Sequence, residues 1–338
     1  MTVGWDIAPA LADLIGEIYD VLGRLSALAR RDAPWSGAFS SGIRAGVLRA
    51  SLALEGQPIP AAVAHALAAD PLGGPASTDP RWRGVALAWD RASAAIGTFP
   101  RRWDLRLCQE LSFLLQRGGP TTSAADQHSW RQLAALLDQL GGLDVAVPRP
   151  VRAVAAMTAV QRSLVDQPRS SVLAFLAFAA VLAEGTGLPT DWVAIDPWMI
   201  DHRADYLSAR ELAMSRSPSD MLTWAAFCLR ACHQGLQLSY EQAQATSTQH
   251  DNCAHLRTLE QLSPRCIDAL MRAATDHPLT NHGHRGRHGI APATAVQDLR
   301  SLVAAGWLRT QGAGRSTSYR ATDQLRRALS TAGRPGRA

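Results

Sequence analysis

The sequence contains no lysine, and all 34 of its basic residues are arginine. Because alanine is also abundant, this is typical of a GC-rich genome rather than of a selected surface. Long hydrophobic runs are missing as well: the longest, residues 172–183, is too short to span a bilayer. A basic-then-apolar secretion signal is absent from the start of the sequence. With mean hydropathy near zero, these absences predict a cytoplasmic protein with no membrane partner.

Cysteine is scarce, and its count of five is odd. Without an export signal, an odd number of cysteines argues against a framework of disulfides. Cys228 and Cys232 lie one helical turn apart with His233 beside them. A metal site there would need a third and a fourth ligand at recognisable spacing, and the sequence offers none. We therefore expect the thiols to pack in the core.

The apolar pattern predicts an all-α body. At 338 residues and 47% hydrophobic content, the chain is long enough for two domains with a substantial core. Apolar residues recur at helical spacing through most of it. The predicted helices are residues 8–29, 40–54, 85–96, 105–115, 130–140, a pair within 151–183, 197–214, 219–233 and 266–274. Residues 240–258 are polar and predict a helical connector, and the only strands predicted belong to a hairpin near the C-terminus.

Charge is distributed unevenly along the chain. Residues 257–338 contain 13 arginines and 5 acids, a formal charge of +8, whereas the whole chain carries +5, which leaves −3 for the rest. A basic segment beside a slightly acidic body is typical of a nucleic-acid-binding module on a neutral carrier. The arginines of residues 323–338 are expected to belong partly to a solvated basic tail.

The C-terminal region resembles a winged helix-turn-helix. Residues 295–303 carry an apolar helical stripe with its buried face predicted at Val296, Leu299, Leu302 and Val303. Pro292 suits the first turn of this helix and Gly306 the position after its end. Residues 307–309 and 318–320 then predict two short strands joined by the turn 312–314. We expect a winged helix over 260–322, with residues 292–305 as its recognition helix.

If this interpretation holds, seven side chains face double-stranded DNA. The small and polar face of the recognition helix, beginning near Ala293, would enter the major groove, where glutamine reads adenine and threonine methyls contact thymine. Basic residues of the wing would contact phosphates. The predicted DNA-facing residues are Thr294, Gln297, Arg300, Arg309, Arg315, Thr317 and Arg320. A winged helix used only for protein packing or dimerisation remains an alternative.

The segment before the recognition helix is unusual. Residues 280–290 should form the second helix, but three glycines are costly in a helix, so a loop remains an alternative. His282, His284 and His288 cluster here. Because the sequence shows no cysteine or carboxylate partner at ligand spacing, we expect no metal site.

Parts of the body resemble the Fic/Doc (Fido) family, in particular longer members with a C-terminal winged helix. Ser51-Leu-Ala-Leu-Glu55-Gly56 resembles the family's Ser-x-x-x-Glu-Gly/Asn inhibitory helix. Val147-Pro-Arg-Pro150 precedes a long helix, as it does ahead of the family's core, and Asp201-His-Arg-Ala-Asp-Tyr206 resembles a helix after the active-site loop. The resemblance covers roughly residues 5–320. It implies an N-terminal helical region at 1–150, a Fic-like core at 151–255, the winged helix at 260–322 and a tail at 323–338.

The family's catalytic signature, HPFxxGNGRxxR, is missing. Its position corresponds to residues 163–174, where Ser163 stands in place of the histidine, Arg169 in place of the asparagine and Ala174 in place of the second arginine. Serine cannot replace imidazole as a general base at neutral pH, and a loop without glycine is a poor phosphate cradle. Glu55 would face Ala174 instead of the arginine that it restrains in the family. The resemblance therefore implies a scaffold that has lost its transferase site.

These features predict a non-enzymatic DNA-binding protein, a transcriptional regulator that binds double-stranded DNA as a homodimer. No cofactor is expected, although Arg169 leaves binding of a nucleotide such as ATP open. An alternative is a Fic-type AMP transferase (protein adenylyltransferase) with a non-standard active site. A third is a scaffold whose winged helix binds only protein.

Overall fold

A computed structural model describes residues 9–29, 35–72, 78–97, 104–115, 124–142, 147–164, 170–215, 217–260, 262–274, 279–312 and 317–331. Over these ranges the protein is all-α with one short β-hairpin, which confirms the predicted fold class. The helices are α1 Pro9–Ala29, α2 Ser36–Leu54, α3 Ala61–Ala69, α4 Pro80–Gly97, α5 Leu105–Leu115, α6 Ala124–Gly142, α7 Arg149–Ser163, α8 Ser170–Ala183, α9 Asp196–Asp201, α10 Arg203–Met214, α11 Pro218–Glu260, α12 Pro264–Ala274, α13 Asn281–His288, α14 Pro292–Ala304 and α15 Asp323–Thr331. A 3₁₀ turn spans Thr190–Val193, and the strands are β1 Leu308–Gln311 and β2 Ser318–Ala321.

The chain divides into two compact units. Unit 1 comprises Met1–Arg31 and Ile43–Tyr240, and unit 2 comprises Asp32–Gly42 and Glu241–Ala338. Helices α2 and α11 contribute residues to both units. Because α11 continues without a break to Glu260, the separate connector predicted at residues 240–258 is the second half of a 43-residue helix. The division thus differs from the boundary near residues 255–260 that the sequence suggested.

Helices α7 and α8 form the centre of unit 1. Every residue of α8 after Ser170 is buried, as expected for a helix that is apolar on all sides. One buried polar pair of this core joins two helices. The indole Nε1 of Trp224 in α11 donates a hydrogen bond to Thr158 Oγ1 in α7, at 2.9 Å. The predicted helical pair within residues 151–183 corresponds to α7 and α8.

A buried carboxylate joins three elements of unit 1. Arg44 of α2 donates from Nε to Asp191 Oδ2 in the 3₁₀ turn at 3.2 Å, and its Nη1 donates to Asp90 Oδ1 in α4 at 3.3 Å. Burial raises the pKa of Asp191, and the charge of Arg44 opposes this rise. The guanidinium therefore keeps an acidic side chain inside the core, where an unpaired charge would be strongly destabilising.

All five cysteines are free and buried, as expected for thiols that pack in the core. Cys108, Cys228 and Cys232 belong to unit 1, and Cys253 and Cys266 belong to unit 2. Burial raises the pKa of the Cys108 and Cys253 thiols to about 12. A thiol in this state is a poor nucleophile and a poor metal ligand, because both roles require the thiolate.

None of the helices in the described residues is both long enough and apolar enough to cross a membrane.

Candidate nucleic-acid interface

Unit 2 contains the element order of a winged helix-turn-helix. Helix α12 is followed by Leu279, which forms an antiparallel bridge with Tyr319, and then by α13, α14 and the β1–β2 hairpin. The Tyr319 amide donates to the Leu279 carbonyl at 2.8 Å. This bridge attaches Leu279, shortly before α13, to the second strand of the hairpin. Within the described residues, β1 and β2 correspond to the two strands that the sequence predicted at residues 307–309 and 318–320.

The second helix forms despite its glycines, so the loop alternative for residues 280–290 is wrong. Thr280 caps α13, because its Oγ1 accepts a hydrogen bond from the Gly283 amide at 3.1 Å. Gly289 ends the helix in the left-handed conformation, with φ +59°, where glycine is favoured. His284, which is only 1% exposed, anchors the helix in the core of unit 2. The two caps and this buried side chain offset the cost of the internal glycines.

The predicted recognition helix is α14. Its buried face consists of Ala295, Asp298, Leu299 and Leu302. Val296 and Val303, predicted to be buried, are half-buried at the edges of this face. The helix rotation is therefore slightly different from the prediction, because an aspartate, which an apolar pattern does not count, lies in the buried stripe.

The opposite face of α14 is small and polar. Ala293, Gln297 and Arg300 are exposed, and at about 100° per residue they lie within an arc of about 60°. Thr294 is half-buried at the border of this arc. Neither Gln297 nor Arg300 makes a hydrogen bond or ion pair with any residue the structure describes. Their polar ends are therefore available to a ligand.

The hairpin places two predicted phosphate contacts side by side. Arg309 of β1 is directly opposite Arg320 of β2 in the antiparallel register, and Gln311 is opposite Ser318. Arg309 is exposed, and Arg320 is half-buried and donates from Nε to Gln311 Oε1 at 3.3 Å. Like charges directly opposite each other destabilise a strand pair. An anion bound on this face would relieve that repulsion.

The two remaining wing predictions are less well defined. Thr317 is half-buried just before β2. Arg315, predicted at the tip of the hairpin, lies outside the described residues.

The predicted basic tail at 323–338 is wrong for its first nine residues, which form α15. Leu325 and Leu329 are buried at helical spacing, while Arg326 and Arg327 are exposed on the other side. Asn252 of α11 donates from Nδ2 to the Leu329 carbonyl at 2.6 Å. This segment therefore packs as a fourth helix of the winged-helix core, and its arginines form the solvated face.

The side chain of Asp298 joins the three helices of the winged helix. Its carboxylate accepts hydrogen bonds from Arg265 Nε of α12 at 2.9 Å and from His284 Nε2 of α13 at 3.2 Å. Burial tends to raise the pKa of Asp298, but these hydrogen bonds outweigh it and hold the pKa below its ordinary value. Helix α14 is thus fixed to both α12 and α13 by one ionised carboxylate.

In unit 1 the residues that resemble the inhibitory motif lie at the end of α2. Ser51 is fully buried, and its hydroxyl donates to Asp196 Oδ1 of α9. Glu55 is half-buried just after the helix, and Gly56 follows with φ +72°. Burial raises the pKa of Tyr206 to about 12, and Glu55 lies close enough to add to this rise. The structure therefore brings Glu55 towards α10.

The residues before the degenerate loop have structural partners. Arg162 donates to the carbonyl of Ala213 at 2.7 Å and to that of Ser215. Gln161 donates from Nε2 to Tyr206 Oη at 3.4 Å. Ser163 is the half-buried last residue of α7. Residues 165–169, including Arg169, lie outside the described part of the chain.

Ala174, the position at which the resemblance places a second arginine, is fully buried within α8. An arginine at this position would have to enter an apolar core. In the family the inhibitory glutamate restrains an arginine. Position 174 therefore offers Glu55 no charged partner of this kind.

One cluster of potential metal-binding side chains was not predicted from the sequence. Asp268 of α12 lies beside His284 and His288 of α13. The two histidines are four residues apart on one helical face, which is a recognisable signal. The third residue comes from a different helix, and spacing along the chain does not reveal it. His282, the third histidine of the sequence cluster, is exposed and faces Arg285 instead.

No protein-family model matches the chain, and no curated protein is similar to it.

Proposed function

We propose that the protein binds double-stranded DNA through unit 2 and acts as a transcriptional regulator. The observation that carries the proposal is the exposed face of α14, where Gln297 and Arg300 have no partner among the described residues. A recognition helix needs such a face, because base edges in the major groove are read by free hydrogen-bonding groups. The buried side of the same helix is held by Asp298.

Base reading is assigned to the first turns of α14. Gln297 can form two hydrogen bonds with adenine, and Arg300 with guanine or a phosphate. Ala293 and Thr294 leave room for close approach of the helix and offer methyl groups to thymine. The exposed residues described on this arc include no large apolar side chain, which favours insertion into a groove over packing against another protein.

Phosphate binding is assigned to the wing. Arg309 and Arg320 share one face of the hairpin and lie directly opposite each other. Phosphate contacts of this kind fix the orientation of the protein on the duplex without reading sequence. Arg315 and Thr317 would extend the same contact towards the end of the wing.

Dimerisation and sensing belong to the same proposal. A single winged helix reads one short half-site, and two copies of the chain would read a site with two-fold symmetry. Unit 1 would then serve for dimerisation or for response to a partner or a nucleotide.

The test is binding of the full-length protein to the DNA upstream of its own coding sequence, titrated across salt concentration. We expect log K to fall linearly with log salt, with a slope of about −0.9 per phosphate contact. Arg309→Ala should weaken binding to every sequence and reduce the slope by about one. Gln297→Ala should relax sequence preference and leave the slope unchanged. Arg49→Ala, an exposed arginine of unit 1, is the matched control and should behave as wild type.

Equal binding by the wild type and all three variants would contradict the proposed interface. No binding at low salt would contradict DNA binding itself and would favour the protein-only scaffold. The transferase alternative has a separate test, which measures transfer of label from ATP to protein. Transfer by the wild type that is lost in Ser163→Ala or Arg169→Ala would favour this alternative.

A further inference from the structure

Asp268, His284 and His288 meet between α12 and α13. The ligand atoms that the three side chains offer, a carboxylate oxygen and two imidazole nitrogens, all lie within 4.8 Å of one another. We propose that these three residues form a binding site for a divalent first-row transition metal, with Zn²⁺ as the expected ion. This proposal does not depend on whether the protein binds DNA.

One pair of these atoms already has the spacing of ligands around a metal ion. His288 Nε2 lies 3.2 Å from Asp268 Oδ2. Two ligands of a tetrahedral Zn²⁺ ion, each bonded at about 2.0 Å, are about 3.3 Å apart. Placing a metal between these atoms therefore requires little movement of either side chain.

His284 supplies an unused lone pair. Its Nε2 donates to the ionised carboxylate of Asp298, which leaves Nδ1 as the deprotonated nitrogen. The side chain is 99% buried, and Nδ1 has no hydrogen-bond partner among the described residues. A buried acceptor without a partner is costly for folding, and a metal ion would satisfy it.

Asp298 completes the arrangement. Metal-binding histidines commonly donate their second ring nitrogen to a carboxylate, which fixes the tautomer and the ring orientation. The Asp298–His284 pair has this form, and Asp298 is itself oriented by Arg265. Two imidazoles and one carboxylate favour Zn²⁺ over Mg²⁺ or Ca²⁺, which prefer oxygen ligands. With three protein ligands, the fourth position would be occupied by water.

Arg287 competes with the metal. Its Nε lies 3.8 Å from Asp268 Oδ2, and 37% of its side chain is exposed. Metal binding would displace the guanidinium into solvent, which costs little because ion pairs of partly exposed side chains are weak. Removal of this positive charge should therefore tighten metal binding, an effect that a purely structural Asp268–His288 pair would not produce.

The experiment uses the full-length chain without a histidine tag, stripped with a chelator and titrated with Co²⁺ and then with Zn²⁺. We expect one equivalent of Co²⁺ to bind with the strong visible bands of four- or five-coordinate geometry, and one equivalent of Zn²⁺ to remove them. His288→Ala and Asp268→Asn should abolish the bands, and Arg287→Gln should lower the dissociation constant several-fold. His282→Ala, an exposed histidine of the same helix, is the matched control and should keep them.

Circular dichroism of each variant verifies that unit 2 remains folded. Failure of the wild type to develop the visible bands would overturn the site. Bands that persist in His288→Ala, or that disappear equally in His282→Ala, would overturn the assignment of its ligands.

Discussion

Nε2 of His284 lies 3.2 Å from Oδ2 of Asp298, and this contact joins α13 to α14. Both side chains are buried, so the hydrogen bond between them replaces bonds that each would otherwise make with water. The pair fixes the angle at which α14 leaves the turn after α13. The position of the exposed face of α14 therefore depends on a contact on its buried side.

Replacing Asp298 with alanine should destabilise the protein. The change leaves His284 Nε2 buried without an acceptor, and a lost partner of this kind costs about 1–3 kcal/mol. Chemical denaturation followed by circular dichroism measures the change in the free energy of unfolding. Asp323→Ala is the control, because Asp323 is exposed and its ion pair with Arg326 lies at the surface. The control should stay within about 0.5 kcal/mol of wild type.

The buried carboxyl of Asp196 should make stability depend on pH. Burial raises its pKa to about 7, although the hydrogen bond from Ser51 opposes the rise. Between the ordinary value of 3.8 and about 7 the folded state holds a proton that the unfolded state releases. The free energy of unfolding should therefore fall as pH rises through this range, by at most about 1.4 kcal/mol per pH unit.

Two variants isolate the contribution of Asp196. Asp196→Asn mimics the neutral acid, so this variant should lose the pH dependence and exceed wild type in stability at pH 8. Asp201→Asn, which changes an exposed carboxylate of the same helix, should retain it. Thermal unfolding at several pH values gives both results. A stability difference between wild type and Asp196→Asn that stays constant from pH 4 to pH 8 would contradict the assignment.

The cap of α13 should be measurable by itself. Thr280→Ala removes the hydroxyl that accepts from the Gly283 amide and should destabilise the helix by about 1 kcal/mol. Faster hydrogen exchange of the amides of residues 281–288 would report this loss directly. Thr280→Ser keeps the acceptor oxygen and should exchange at nearly the wild-type rate. Equal exchange in the two variants would show that the glycine-rich helix is held by its buried histidine alone.

The last helix should contribute to the stability of unit 2. Leu325 is fully buried, and truncation of such a side chain to alanine costs about 2–5 kcal/mol. Leu72→Ala, in which an exposed leucine is shortened, should change little. Denaturation of both variants distinguishes a packed helix from a solvated basic tail. A neutral result for Leu325→Ala would contradict the packing of α15.

Metal binding, if it occurs as proposed, should stabilise unit 2. A ligand that binds only the folded state adds about 2.7 kcal/mol when its concentration is 100 times the dissociation constant. Added Zn²⁺ should raise the melting temperature of the wild type and of His282→Ala, whereas that of His288→Ala should not change. Mg²⁺ at the same concentration should have no effect on any of them.

Local pattern predicted most helices because each needs only an apolar stripe within one segment. It failed where a polar residue replaces an apolar one in the stripe, as Asp298 does in α14, and where a helix depends on its caps, as α13 does. In residues 323–338 the two leucines four residues apart were outweighed by four arginines, of which only Arg326 and Arg327 belong to α15. Contacts such as that between Arg44 and Asp191 join distant segments, and a single sequence carries no signal for them.

The placement of Gln297 and Arg300 on one exposed face of α14 follows from helical geometry and could be predicted from the sequence, whereas the cluster of Asp268, His284 and His288 could not. Thr294 belongs to the same helix but is half-buried at the border of that face. Asp268 joins His284 and His288 only when α12 packs against α13, and a spacing rule does not contain that packing.

The burial of all five thiols gives each unit its own reporter of opening. A maleimide can react with Cys108, Cys228 or Cys232 only when unit 1 opens, and with Cys253 or Cys266 only when unit 2 opens. Labelling followed by mass spectrometry of the peptides would thus time the two events separately in one sample. The unmodified sequence can therefore show whether the two units unfold together or independently.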